Sequence, residues 1–186
     1  MADTSTNTVA RALNDVGMAA WFGGSLMGAI GLNGAAAEAD APSQRAKVAN
    51  AGWARWTPVN AAAIASYTVG ALQLTRVNKD RLTAQKGVAA AAGLKTVMTA
   101  LAMGATAYSR VLGQKVMDAG TPSVEGATEP NAATPPEVAA AQRQLKMLQW
   151  AIPALTGAMI VIDSRLGEQQ RPNQVARGLL SRIVPA

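Results

Sequence analysis

The chain contains no cysteine and no histidine among its 186 residues. A zinc site of the usual kind, a thiol nucleophile and an imidazole proton shuttle are therefore excluded, and no disulfide framework can form. Aromatic residues make up only 4% of the chain and charged residues 15%, whereas apolar residues, mostly alanine, make up 49%. Because alanine buries little area and glycine none, this composition is poor material for a soluble core.

Acidic residues are also scarce, which leaves a net charge of +6. The 17 lysines and arginines are scattered between apolar stretches and in the C-terminal tail, so the sequence does not predict a nucleic-acid partner. It contains no recognised catalytic constellation. We therefore predict a protein that is not an enzyme and that holds neither a metal nor another cofactor.

What the chain does have is four long stretches with almost no charge, namely residues 16–37, 56–75, 87–109 and 147–162. A hydrocarbon core about 30 Å thick needs roughly 20 helical residues, so the first three stretches fit and the fourth is short. The sequence predicts an all-α fold over residues 1–186, a single four-helix transmembrane bundle in the cell (inner) membrane. The mean hydropathy of only +0.11 leaves an alanine-rich soluble bundle as the alternative.

Two of the predicted spans carry residues typical of helix starts. Asn14 and Asp15 are suited to cap the first helix, whose N-terminus favours negative charge. Thr57 and Pro58 suit the N-cap and first helical position of the second helix. The polar residues 38–55 before them are predicted to form a loop in water.

Residues 118–136, the acidic loop, contain acids and four prolines but no base. Such a segment cannot bury enough apolar surface to offset its ordering entropy, so we predict a flexible loop. Thr134 and Pro135 then open a helix that is predicted to continue through Glu137 and Arg143 into the fourth span. Pro153 is predicted to kink this helix.

Positive charge in short loops predicts the orientation of the bundle. The N-terminal tail, residues 76–86 and the C-terminal tail together carry more lysine and arginine than the other two loops, which favours both termini in the cytoplasm. Four aromatic residues would then lie near the outer interface as anchors: Trp53, Trp56, Tyr108 and Trp150. Residues 172–186 form either a basic amphipathic helix on the inner leaflet or a disordered tail.

Small residues recur at four-residue intervals within the spans, a spacing that lets helix backbones approach closely. These sets are Ala20, Gly24 and Gly28, then Ala62, Ser66 and Gly70, then Thr96, Ala100 and Gly104, and finally Ala154 and Ala158. We expect them to hold the monomer's own bundle together. An interface between copies of the chain is the alternative.

Lys95 is the one charged residue inside a predicted span. An ionisable residue within a membrane is a functional candidate, but a lysine this close to the span's end is expected to extend its ammonium towards the headgroups. A structural partner, or a role with a substrate or ion, stays open. In that case Asn60 and Thr99, with Asn33, Thr96 and Tyr108, would line a polar seam beside it.

The segment from Trp53 to Gly113 is the most distinctive part of the chain, with Arg55-Trp56-Thr57-Pro58-Val59-Asn60 near its start and Tyr108-Ser109-Arg110-Val111-Leu112-Gly113 at its end. It resembles small, alanine-rich four-span membrane proteins of high-GC bacteria, most of them without assigned function. The general layout is also similar to the DoxX-like and anthrone-oxygenase-like four-helix groups. The resemblance implies a topology but no site.

Together these features predict a non-enzymatic integral membrane protein, structural or accessory. Its expected partners are the lipid bilayer and either a larger membrane complex or further copies of itself. Two alternatives are a small transporter or channel-like oligomer and a membrane enzyme acting on a lipid or quinone-like substrate.

Overall fold

The structure, a computed structural model, describes residues 4–77, 79 and 86–168. Its helices are α1 (Thr4–Met27), α2 (Asn33–Ala37), α3 (Pro42–Val77), α4 (Lys86–Asp118) and α5 (Pro136–Glu168). A π-helical turn, Gly28–Leu32, joins α1 to α2, so the two form one long helix. The described residues contain no strand, only an isolated bridge between Val124 and Pro130. The predicted all-α fold with four long helices is confirmed within these ranges.

The first helix begins well before its predicted cap. α1 starts at Thr4, and Asn14 lies inside it with 3% of its surface exposed, so the prediction that Asn14 and Asp15 cap this helix is wrong. The reason is a contact with α3. The Ala10 carbonyl oxygen and the Asn14 nitrogen lie so close to Gly70 that each is 2.5 Å from where a Cβ would stand. Packing of this kind outweighs a local capping preference.

The second long helix also begins early. α3 starts at Pro42, which leaves only residues 38–41 of the predicted loop outside a helix. Thr57 and Pro58 therefore lie inside α3 and do not begin it, and the Thr57 hydroxyl donates to the carbonyl of Trp53, one turn earlier. Proline has its usual place at the first helical position here too, but the proline that takes it is Pro42.

The last helix begins almost where the sequence predicts. Thr134 donates to the carbonyl of Ser123 at 2.6 Å, and α5 then runs from Pro136 through Glu137 and Arg143 into the fourth span. Pro153 lies buried inside this helix.

The helices pack as two antiparallel pairs. The first long helix lies along α3, and α4 lies along α5; α1 also contacts α5, whereas α3 and α4 touch little. The core between the pairs is built on Trp21, Met18, Tyr67 and Met159, each at most 2% exposed. The weak contact between α3 and α4 leaves room for the cavity described below.

The acidic loop is packed, although the sequence predicts a flexible one. Gly120, with φ of 80°, turns the chain after α4, and Val124 is fully buried among residues of α3, α4 and α5. Arg45 donates to the Glu125 carbonyl, and Gln142 donates to the Gly126 carbonyl, each at 2.9 Å. One buried valine and donors from two helices therefore anchor a segment whose composition alone favours disorder.

Large apolar side chains cover much of the outside of the bundle. Among the described residues one helix is long and apolar enough to cross a membrane, Pro136–Arg165, and only 22% of its most apolar stretch is buried in the protein. This helix contains residues 147–162, the fourth uncharged stretch, which by its length alone is too short to cross a bilayer. The difference arises because α5 extends well beyond residues 147–162 at its N-terminal end. The predicted tail at residues 172–186 lies outside the described residues.

Candidate functional site

Lys95 of α4 is held by an acid on the neighbouring helix. Its ammonium lies 2.6 Å and 2.7 Å from the two carboxylate oxygens of Asp163 on α5. The two side chains are 16% and 26% exposed, so the pair is largely shielded. The Lys95 nitrogen also lies 5.3 Å from the centre of the Tyr67 ring, within the range of a cation–π contact. The structural partner left open by the sequence is therefore present, and the expected extension towards headgroups is not observed.

A polar cluster continues from this ion pair into the core. The hydroxyls of Tyr67 and Thr99 lie 2.8 Å apart, and Thr99 donates to the sulfur of Met159 at 3.2 Å. The Tyr67 ring packs beside Trp21, with ring centres 6.1 Å apart. The cluster thus links α1, α3, α4 and α5 at one level of the bundle.

The structure divides the predicted polar seam into separate parts. Lys95 and Thr99 belong to the cluster just described, whereas Asn33 and Asn60 line a cavity elsewhere in the bundle. The Thr96 hydroxyl is exposed and donates to the Ala92 carbonyl on its own helix. Asp163 is not among the residues that the sequence singles out, because it lies just beyond the fourth uncharged stretch. Its signal was that Asp163 is the first acid after that stretch.

A cavity of about 500 Å³ lies between α3 and α4, where the two helical pairs meet. The α3 residues that line it share one face, at positions 50, 53, 56, 57, 60, 61 and 64. Its floor is apolar and includes Ile64, Met103 and Ile152, whereas its opposite end is polar and includes Asn50, Arg110 and Thr128. The acidic loop contributes Ala127 and Thr128 and closes that polar end.

Hydrogen bonds tie the polar end of the cavity to three helices and the acidic loop. The Trp53 indole donates to the Asn33 side-chain oxygen at 2.9 Å, and the Asn33 amide donates to Gln149 at 2.8 Å. Gln149 in turn donates to the Thr128 hydroxyl at 3.3 Å. The π-helical turn before Asn33 changes the direction in which the Asn33 side chain leaves the helix. One extra residue in a turn rotates the next part of the helix by about 100° relative to an uninterrupted α-helix.

Two residues that line the cavity each have a buried polar atom that lacks a partner within the described part of the chain. These atoms are the indole nitrogen of Trp56 and the side-chain oxygen of Asn60, which stand one helical turn apart on α3. Buried polar groups in proteins are almost always paired, so an unpaired donor and an unpaired acceptor beside one cavity call for an explanation. The role of Trp53 and Trp56 as interfacial anchors stays a prediction; both indoles are half-buried and pack against Gly28 and Gly24 of the first long helix.

Most of the predicted small residues of the first two spans pack helix against helix. A Cβ on Gly24 would stand 1.8 Å from the Trp56 ring, and one on Gly28 would stand 2.2 Å from the Trp53 ring. Ser66 donates to the Leu13 carbonyl of α1 at 2.9 Å, and Ala20 is half-buried.

Five of the predicted packing residues lie on the outside instead, Thr96 and Ala154 among them. Ala62 of α3 and both Ala100 and Gly104 of α4 are exposed, and nothing lies within 4 Å of a Cβ built on Gly104. The inward side of α4 is marked by Ala102, which is fully buried. The small-residue face of α4 is therefore not covered by the helices of the described chain.

Glu129, in the acidic loop, makes the stability of this loop depend on pH. Burial alone would raise its pKa, but hydrogen bonds from Thr128 and Lys146, together with the positive charge of Lys146, bring the pKa below the ordinary value of 4.5. The ionised carboxylate thus stabilises the folded loop above pH 4.5, and this contribution is lost as the pH falls through the lowered pKa.

We expect this loss to appear as weaker hydrogen-exchange protection of the Glu125 amide, which donates to the Glu129 carbonyl at 2.9 Å. After correction for intrinsic exchange rates, protection should fall by roughly two- to fivefold below pH 4.5, since exposed ion pairs contribute little. The Glu129→Gln variant is the control, and its protection should show no such step. A step of the same size in the variant would assign the effect to another group.

Among the described residues no cluster of three or more acids could hold a metal ion. Comparison of the chain with protein families, with curated proteins and with solved structures finds no match. The features of the described chain that bear on its function are therefore the ion pair, the cavity and the helix contacts.

Proposed function

We propose that this protein is a non-enzymatic, multi-pass protein of the inner membrane with a structural or accessory role. The observation that supports the proposal most strongly is the apolar exterior. Large apolar side chains stand out from every long helix, for example Val16 at 67% exposure, Leu101 at 57% and Met147 at 68%. Lipid is the ordinary surrounding of large apolar side chains exposed on every helix, whereas soluble monomers rarely expose extended apolar surface.

The hydroxyl groups within the helices are also compatible with lipid as the surrounding medium. Thr68, Thr75 and Thr96 each donate to the carbonyl four residues earlier in their own helix, at 2.7 to 2.9 Å. In hydrocarbon no water can satisfy these groups, so bonding to their own backbone lets them face lipid without an unpaired donor. The pairing of Lys95 with Asp163 likewise removes the isolated charge that a membrane disfavours.

The uncovered face of α4 supports an accessory role. Leu94, Val97 and Leu101 recur on one side of this helix and are each more than half exposed, and Ala100 and Gly104 are exposed beside them. A smooth helix face in lipid is where a neighbouring helix can approach closely. We propose that this face packs in a larger membrane assembly, and bulky replacement of Gly104 should weaken such an assembly while the fold remains.

The orientation in this proposal places both termini in the cytoplasm and the acidic loop outside. It is supported by the excess of lysine and arginine in the tails and in residues 76–86. Because the chain has no cysteine, single cysteines can be introduced without removing native ones. Ser43, on the proposed outer side, and Lys79, on the proposed inner side, are both exposed.

We expect the full chain to stay in the membrane pellet after alkaline carbonate washing of lysed cells. In intact cells whose outer barrier has been made permeable, a thiol reagent that cannot cross the inner membrane should label Ser43→Cys and spare Lys79→Cys. Both variants should label equally after the membranes are dissolved in detergent. Recovery of the chain in the wash would overturn the membrane assignment, and labelling of Lys79→Cys alone would reverse the orientation.

A further inference from the structure

We propose that the cavity between α3 and α4 binds one single-tailed amphiphile whose headgroup carries an oxyanion, either a carboxylate or a phosphate. The volume of about 500 Å³ falls in the range of 300–1,000 Å³ that is typical of small-molecule sites. The inference rests on the proposed membrane location, because the bilayer would supply such a ligand.

The charge of the cavity wall favours an anion. Arg110 is its one charged residue, no acid lines it, and the Arg110 side chain has no ion pair within the described residues. Arginine presents several N–H donors in a planar fork that suits carboxylate and phosphate oxygens. Arg110 and Trp56 stand at the polar half of the cavity, so the unpaired indole N–H of Trp56 would donate to the same headgroup.

The remaining unpaired atom lies deeper. The Asn60 side-chain oxygen is one helical turn beyond Trp56 and accepts no hydrogen bond, so it suits a hydroxyl of the headgroup. A lysophospholipid brings such a hydroxyl on its glycerol, whereas a free fatty acid does not. The two sources thus share the oxyanion and the single tail but differ at Asn60.

The shape of the cavity separates head from tail. From Asn50 to Ile64 the cavity follows α3 for about 20 Å, given the rise of 1.5 Å per residue. The wall changes along this path from polar side chains at the end closed by the acidic loop to Ile64, Met103 and Ile152. Because α3 and α4 touch little, a tail lying on this floor has a lateral route to the bilayer.

The test uses the full chain in nanodiscs of zwitterionic phospholipid and reads tryptophan fluorescence. Trp53 and Trp56 line the cavity, whereas Trp150 is 49% exposed on the outside, so Trp150→Phe removes the lipid-facing signal. Three brominated ligands with the same tail are added separately: a fatty acid, a lysophosphatidate and an uncharged monoacylglycerol. Bromine quenches an indole only on close approach, so a bound tail reports its own position.

We expect saturable quenching by both anionic ligands and an affinity about tenfold weaker for the uncharged one, since a charged hydrogen bond is lost. Arg110→Gln should abolish this preference. Asn60→Ala should weaken the two ligands that carry a glycerol hydroxyl, the lysophosphatidate and the monoacylglycerol, and leave the fatty acid unchanged. Ala107→Leu, which adds bulk to the cavity wall, should remove saturable quenching, whereas Gly23→Leu on the outer side of α1 should not. If Ala107→Leu fails to fold, Arg110→Gln still decides the outcome.

Quenching that rises in proportion to the amount of ligand and never saturates would overturn the proposal, as would saturable binding that Arg110→Gln and Ala107→Leu leave unchanged. A separate measurement tests the membrane location without relying on ligand binding in the cavity. In the chain that retains Trp150, a two-tailed brominated phospholipid in the nanodisc should quench that residue whether or not the cavity is filled. Loss of this second signal would contradict the proposed function, and loss of the first alone would contradict only the ligand site.

Discussion

Replacing Gly17 with alanine is expected to lower the free energy of unfolding by about 3 kcal/mol, at the upper end of the usual cost of overpacking. A Cβ at this position would stand 2.4 Å from the Tyr67 nitrogen and 2.5 Å from the Ala63 carbonyl oxygen. Both atoms belong to the backbone of α3, so no side chain can rotate to make room. Relief would require α1 and α3 to separate along a contact that also carries Trp21 and Tyr67 of the core.

Gly70→Ala should act in the same direction, because its Cβ would stand 2.5 Å from backbone atoms of Ala10 and Asn14. The matched controls are Gly23→Ala and Gly104→Ala, where nothing lies within 4 Å of the added carbon. There alanine should stabilise the helix by about 0.5–1 kcal/mol, its usual advantage over glycine. Reversible unfolding in mixed detergent micelles measures all four. Equal stability of Gly17→Ala and Gly23→Ala would show that α1 and α3 do not meet at Gly17.

The contrast between these glycines shows how far the sequence could predict the helix contacts. Four-residue spacing correctly placed Gly24, Gly28 and Gly70 at contacts between the first long helix and α3. It placed Ala100 and Gly104 in a contact as well, but both are exposed. Spacing determines which residues share a helix face, not which face turns inward, and in an alanine-rich helix small residues occur on every face.

Helix boundaries failed for a related reason. Thr57 and Pro58 have the local chemistry of a helix start, yet α3 runs through them from Pro42. Helical residues on both sides and packing against the first helix outweigh one proline, which removes a single backbone hydrogen bond. The start of α5 was predictable to within one residue, because Thr134 and Pro135 follow a segment rich in proline and glycine, where nothing upstream extends the helix, and α5 begins at Pro136.

The candidate sites were even less accessible to sequence reasoning. The partner of Lys95 is 68 residues away, and the walls of the cavity come from α1, α2, α3, α4, α5 and the acidic loop. A single sequence identifies Lys95 as unusual because charge is rare in an apolar stretch. It does not identify Asp163, because pairing depends on how α4 and α5 are aligned, and side-chain packing sets that alignment.

Breaking the Lys95–Asp163 pair from the lysine side is expected to cost about 3 kcal/mol, the lower end for a buried pair because both groups keep slight exposure. Lys95→Met would leave the Asp163 carboxylate without a counter-charge in apolar surroundings. Asp163→Leu should cost less, about 2 kcal/mol, because the Lys95 ammonium can either stay against the Tyr67 ring or be carried by its long stem towards a more polar surrounding. Lys95→Met should therefore be less stable than Asp163→Leu. A contact to which both partners contribute equally would give the same loss of stability in both variants.

The double variant Lys95→Met/Asp163→Leu decides what the pair does. Replacing both charges by apolar groups of similar size is often neutral or stabilising, so its stability should return to within about 1 kcal/mol of the native chain. The coupling energy from this double-mutant cycle, measured by the same micelle unfolding, should then be several kcal/mol, and additive losses would contradict the ion pair. A single lysine replacement confuses folding with function, whereas the double variant separates them. If it restores both stability and assembly, the pair is structural; if it restores stability but a transport or assembly phenotype stays lost, the charges themselves act in the function.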